Sequence, residues 1–142
     1  MTTKRESILA DIASTLAGTV QVGTRIFRSR QEPLSRNESP AISIEPADDT
    51  PEYSVRIDRL DWTLNVQIAV IVRAAVPDQS ADPIIEDVHS RMMSDFTAGG
   101  YALDVQPGGV RFEMVEADTP AGVITMDFAI KYRTLLTDLT TG

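Results

Sequence analysis

The chain predicts an α+β fold, a mostly antiparallel or mixed β-sheet with two helices packed on one face. Three observations lead there. Residues 61–73, DWTLNVQIAVIVR, place large apolar side chains at Trp62, Leu64, Val66, Ile68, Val70 and Val72, with mostly polar or small residues between them. Residues 123–135 alternate in the same way, with Ile124, Met126, Phe128, Ile130 and Tyr132 against Thr125, Asp127, Ala129, Lys131 and Arg133. A period of two sends successive side chains to opposite faces of a strand, so each segment has one core face and one open face. The third observation is helical spacing at the start of the chain and again after residue 82, which supplies two elements to cover the core face.

The elements follow in order. Thr3-Lys4-Arg5-Glu6 reads as a capping box, in which the Thr3 hydroxyl accepts a free helix N–H and Glu6 reaches back to another. Ile8, Leu9, Ile12, Ala13 and Leu16 form the stripe of a helix over 4–17, with Gly18 as a left-handed terminator. Residues 25–27 are a short strand candidate. The polar stretch 28–40, interrupted by Pro33 and Pro40, reads as a loop. Ala41 to Glu45 is a strand with Ile42 and Ile44 facing inward, and 46–55, PADDTPEYSV, is a further polar connection. Loops 28–40 and 46–58 are both expected to be mobile in the isolated subunit, because prolines and charges leave little to offset the entropy of ordering.

The long strand begins near Arg56 and runs to Arg73. Asp82-Pro83 supplies a cap with proline at the first helical position. Ile84, Ile85, Val88, Met92 and Phe96 make the inward stripe of the second helix, which Gly99-Gly100 ends. Three strands close the chain: Leu103 to Gln106, a turn at Pro107-Gly108-Gly109, Val110 to Glu116, a turn at 119–122, and Val123 to Leu135. Hairpin connections imply antiparallel pairing. Trp62, Leu64, Val66, Ile68, Met126, Phe128 and Ile130 are expected to face both helices.

The 142 residues fit one domain spanning 1–142. No cysteine is present, which excludes disulfides, thiolate nucleophiles and Cys-ligated zinc and suits a reducing cytoplasm. The apolar runs are far shorter than the ~20 residues that span a bilayer. Glu6 and Asp11 interrupt the region where a signal peptide needs apolar residues, so a soluble, unprocessed chain is expected. Net charge is −8 and unevenly spread: residues 1–36 carry six basic and three acidic residues, and the remainder seven basic and eighteen acidic. An acidic body disfavours wrapping nucleic acid. A basic end and an acidic body on one chain can attract copies of it to each other, although the same split also arises on an ordinary solvated surface.

No catalytic constellation emerges. His89, the only histidine, lies in the second helix and reads as a solvent-facing or half-buried structural residue. One histidine without cysteine leaves too few ligands for the common transition-metal sites. Asp48-Asp49-Thr50-Pro51-Glu52 collects carboxylates but lacks the alternation and central glycine of a calcium loop, so an acidic surface is the simpler reading. Gly99-Gly100 and Gly108-Gly109 lack phosphate-loop context and read as turns. Asn37-Glu38-Ser39 matches a glycosylation sequon, which has no meaning without secretion. Met92-Met93 reads as core filling. The expectation is a protein that is not an enzyme and binds no cofactor or metal.

Several stretches carry a resemblance. SPAISIE (39–45), DWTLNVQIAVIVRAAVPDQSADPIIEDVHSRMMSD (61–95) and EADTPAGVITMDFAIKYRT (116–134) are similar to a proline-led strand, an aromatic-led long strand with its VPD-type turn and helix, and a final alternating strand closing with a Tyr. That order resembles the tail terminator proteins of long-tailed bacteriophages and prophages, typified by minor tail protein U. The resemblance implies a virion protein assembled in the host cytoplasm as a homo-hexameric ring. Such a ring caps the tail tube protein, stops its polymerisation and presents a surface to the head-completion or connector protein, with DNA passing through the lumen without specific binding. Closed cyclic symmetry needs two different complementary patches on each subunit. The charge split suggests Arg25, Arg28, Arg30 and Arg36 for one edge and Asp48, Asp49, Glu52 and Asp58 for the other. Two alternatives remain open on the residues: another ring protein of the head–tail neck, and a small-molecule-binding α+β domain with a pocket under the second helix.

Overall fold

The structure, a computed structural model, describes residues 2–29, 39–116 and 119–142. Its elements are α1 (Lys4–Leu16), a 3-10 turn (Val20–Val22), β1 (Ile26–Arg28), β2 (Ala41–Tyr53), β3 (Arg59–Arg73), α2 (Pro77–Ser94), β4 (Asp104–Val115) and β5 (Ala121–Leu135). The five strands form one sheet in the order β1-β2-β3-β5-β4. Every pairing is antiparallel except β1 with β2, which is parallel and makes the sheet mixed. This is the α+β architecture read from the sequence.

Alternation builds the core. Leu64, Val66, Ile68 and Val70 on β3 lie opposite Ile130, Phe128, Met126 and Ile124 on β5, and all eight are buried. They join Ile42 and Ile44 of β2, Ile8, Leu9, Ile12 and Leu16 of α1, and Ala81, Ile84, Val88 and Met92 of α2 in one apolar cluster. Both helices therefore cover the same face, and Trp62 packs against the cluster half-buried. The opposite face is laced by polar pairs across strands, among them Arg133 Nε to Asp61 Oδ1 at 2.6 Å and Lys131 Nζ to Thr63 Oγ1 at 2.8 Å.

Several boundaries differ from expectation. The stretch 46–55 is not a connection: β2 continues through it to Tyr53 and pairs residue by residue with β3. Proline is tolerated in edge strands and at bulges, and β2 provides both. Beyond Ile44 it pairs, among the described residues, with β3 alone, and its register shifts between Pro46 and Asp48. The segment 46–53, expected to be a mobile loop, is therefore hydrogen-bonded strand; most of 28–40 lies outside the described residues.

α2 starts at Pro77, and Pro83 lies inside it. The expected start is Asp82-Pro83, but burial extends the helix by about one and a half turns: Pro77, Ala81, Ile84, Val88 and Met92 make one stripe that begins before Pro83. Phe96, expected on that stripe, lies beyond the helix end and is 57% exposed. Asp95 organises the exit by accepting from Thr97 N at 3.0 Å and Gly99 N at 2.9 Å, and Gly99 and Gly100 take φ of 73° and 92°.

β4 is one continuous strand, not two strands around a turn. Pro107-Gly108-Gly109 forms a bulge between the pairs Pro107–Phe128 and Val110–Met126. Gly108 lets the strands approach closely there, since a Cβ would lie 3.1 Å from the Asp127 carbonyl oxygen on β5.

At α1, Thr3 Oγ1 caps Glu6 N at 3.2 Å as expected. The Glu6 carboxylate instead takes both guanidinium nitrogens of Arg28, at 3.0 and 2.8 Å. The helix ends at Ala17 in right-handed geometry, so Gly18 is not a left-handed cap. Its bare Cα gives room to Arg91 of α2, whose Nη2 donates to Gly18 O at 2.6 Å.

Candidate functional site

The expected interface charges divide into groups that are engaged within the chain and groups that are free. Arg25 donates from Nε to Pro40 O at 2.7 Å and ties β1 to the start of β2. Arg28, at the end of β1, holds Glu6 in a two-pronged pair that keeps the Glu6 carboxyl below its ordinary pKa. Arg30 and Arg36 lie outside the described residues. Asp48 is exposed and accepts from Asn65 Nδ2 at 2.6 Å. Glu52 is exposed and makes no ion pair among the described residues, whereas Asp58 meets Arg59 at 2.5 Å and Arg56 at 3.7 Å. Arg25, just before β1, Arg28 at its end and the acids of distal β2 lie along the same edge of the sheet, since β1 flanks only Ile42–Ile44.

Asp49 is different in kind. As adjacent residues of a strand, Asp48 opposite Asn65 and Asp49 opposite Leu64 point to opposite faces, so the two carboxylates do not converge on a common ion. Asp49 lies beside the core, its side chain 8% exposed, where it accepts the Tyr132 hydroxyl and Arg5 NH1, the latter at 3.4 Å. Burial pushes its carboxyl above the usual value against the pull of those donors, and it pushes the Tyr132 hydroxyl up as well. Tyr132 stacks on Trp62 with ring centroids 6.1 Å apart and planes at 10°, and Trp62 Nε1 donates to Thr134 Oγ1 at 3.0 Å. This chain of contacts fastens α1, β2, β3 and β5 together.

Among the described residues no group of three or more His, Cys, Asp or Glu converges as a metal site, and His89 is exposed on α2. The cleft where α1 meets α2, lined by Asp11, Ile12, Thr15, Arg91, Met92 and Asp95, has a volume of about 10 Å³. That is room for about one water, not for a metabolite. No helix among the described residues is long and apolar enough to cross a membrane.

Sequence reasoning passed over the apolar surface. Tyr53, Val55 and Ile57 at the end of the β2–β3 hairpin are 79, 100 and 89% exposed, and Val110, Phe112 and Met114 on β4 are 43, 62 and 48% exposed. The signal was present as alternation in YSVRI and VRFEMV, but alternation alone does not tell which apolar rows the helices reach.

A comparison with curated proteins finds no match. The fold matches a chain from the structure described as "Virion of native gene transfer agent (GTA) particle", with a TM-score of 0.52 and 14% identity over 93% of this chain and 92% of that one. The family model described as phage minor tail protein U matches residues 3–132. The chain belongs to the phage minor tail protein U family and is a structural protein of a phage tail.

Proposed function

We propose that this tail protein is the terminator: six copies close into a ring that caps the tail tube, stops its polymerisation and presents the surface to which the head-completion or connector protein joins. The observation that carries the reading is the unburied apolar surface on both the β2–β3 hairpin and edge strand β4 of a protein in this family. A long edge strand with exposed apolar residues is a site for another chain. The whole chain, 1–142, acts as one structural domain in the virion, assembled in the host cytoplasm, with no catalytic step. The fold's likeness to a chain of a gene transfer agent virion is compatible with that role.

The charges tune the ring more than they hold it. Exposed ion pairs stabilise by about 0–1 kcal/mol each, so Arg25, Arg28, Asp48, Glu52 and Asp58, with Arg30 and Arg36, set register and partner choice. A net charge of −8 per subunit lets DNA pass the lumen without adhering, because like charges repel.

The test is a host that makes every other tail protein but lacks this chain. Tails there should run past their normal length and fail to join heads, and added purified protein should restore both. Normal tail length in that host would instead favour a head–tail joining ring of the neck.

A further inference from the structure

Two exposed apolar features lie at opposite ends of the sheet, and each is held in shape by the fold. At the hairpin crown, Ser54 N donates to Arg59 O at 3.2 Å, Arg59 N to Arg56 O at 3.1 Å, and Leu136 N to Asp58 O at 3.0 Å. The Ser54 side chain is buried, and its Oγ accepts from Arg56 N at 3.4 Å. These bonds hold the crown's backbone in shape, while Tyr53, Val55 and Ile57 are exposed to solvent.

The second feature is the strip Val110, Phe112 and Met114 on β4. These residues lie opposite Met126, Ile124 and Gly122 of β5, which places them on the core side of the sheet but beyond what α2 covers. Among the described residues β4 pairs with β5 alone, and its other edge has no strand partner.

The two features cannot cover each other within one molecule. Phe112 shares a row with Ile124 and Val70, whereas the crown begins beyond Arg59 on the same strand β3. At ~3.3 Å per residue that separation along β3 is about 36 Å.

We propose that the hairpin crown of one copy, Tyr53, Val55 and Ile57, packs on the Val110–Phe112–Met114 strip of the next copy and forms the repeating contact of the ring. The proposal rests on the terminator reading above. Charge complementarity selects a second copy as the occupant. Among the described residues Arg56 at the crown is largely exposed and held only by the 3.7 Å contact with Asp58, while Glu116, just past the strip at the end of β4, is exposed and meets no cation. The crown and the strip are different surfaces of one copy, so each copy offers one and receives the other. Such head-to-tail contacts close into rings and do not stop at a two-fold dimer.

The absence of cysteine in the chain makes cross-linking clean. Val55→Cys and Phe112→Cys proteins, mixed and oxidised, should give a Val55–Phe112 disulfide between copies, and the double variant should give a covalent ladder ending at six. Phe112→Glu should reduce ring formation at least tenfold, and Val55→Lys added to it should restore rings, a rescue that a folding defect would not show. Wild-type rings without the cross-link, and unaffected by Phe112→Glu, would overturn this contact and leave the terminator reading intact. Wild-type protein that stays monomeric both in solution and on purified tails would overturn both.

Discussion

Tyr132 donates its hydroxyl proton to Asp49 across a sequence separation of 83 residues, joining β5 to distal β2 on the core side of the sheet. The same carboxylate oxygen takes Arg5 of α1, and Asp49 Oδ1 is buried without a partner. Removing the phenol would leave a desolvated carboxyl with less compensation. Tyr132→Phe should therefore cost about 1–3 kcal/mol in denaturant unfolding, the range for a buried group stripped of its hydrogen bond.

The pH dependence of this group has a definite sign. Desolvation raises the folded Asp49 pKa above its unfolded value, so its contribution favours folding at low pH and fades as pH rises through the folded value. Asp49→Asn removes that fade. Its stability relative to wild type should improve as pH rises from about 4 toward 7, measured as a difference of unfolding midpoints. Asp61 behaves in the opposite way, because its bond to Arg133 lowers the folded pKa. The stability that Asp61 adds over Asp61→Asn should be present at neutral pH and disappear as pH falls below the usual carboxylate range.

Phe128 is among the largest fully buried side chains, at the centre of β5 opposite Val66. Phe128→Ala should cost about 3–5 kcal/mol from lost transfer energy plus the cavity left behind. A loss near 1 kcal/mol in equilibrium unfolding would mean that its face is misassigned.

Gly122 is where β5 meets the start of α2. A Cβ there would lie 2.7 Å from Pro77 Cβ and 3.3 Å from Met114 Sδ. Gly122→Ala should displace the first turn of α2 and destabilise by about 1–3 kcal/mol, the usual effect of overpacking. Gly109→Ala, which meets nothing within 4 Å, is the control and should change stability far less.

These sites also show how far the sequence could be read. The core faces of β3 and β5 were legible because alternation with large apolar residues has one meaning on a covered sheet. The course of β2 was hidden because Pro46 and Pro51 read as breakers; only knowing that distal β2 lies on an edge reveals that proline is tolerated there. Asp82-Pro83 carried the local signal of a helix start, and the true start at Pro77 depends on a burial stripe no local signal reports. The glycines at 108 and 109 fit a turn or a bulge equally well until β5 takes its place beside them. Among the candidate interface charges, sequence showed the sign of each side chain and not its partner. Arg28 is taken by Glu6, and Asp49 by Tyr132 and Arg5, through contacts between elements distant along the chain.

The most direct test of the terminator reading is cryo-electron microscopy of particles containing this chain. The account predicts six copies in a single ring at the head-proximal end of the tail tube, each hairpin crown resting on its neighbour's β4. Copies distributed along the tube, or a ring of another symmetry within the head, would contradict it.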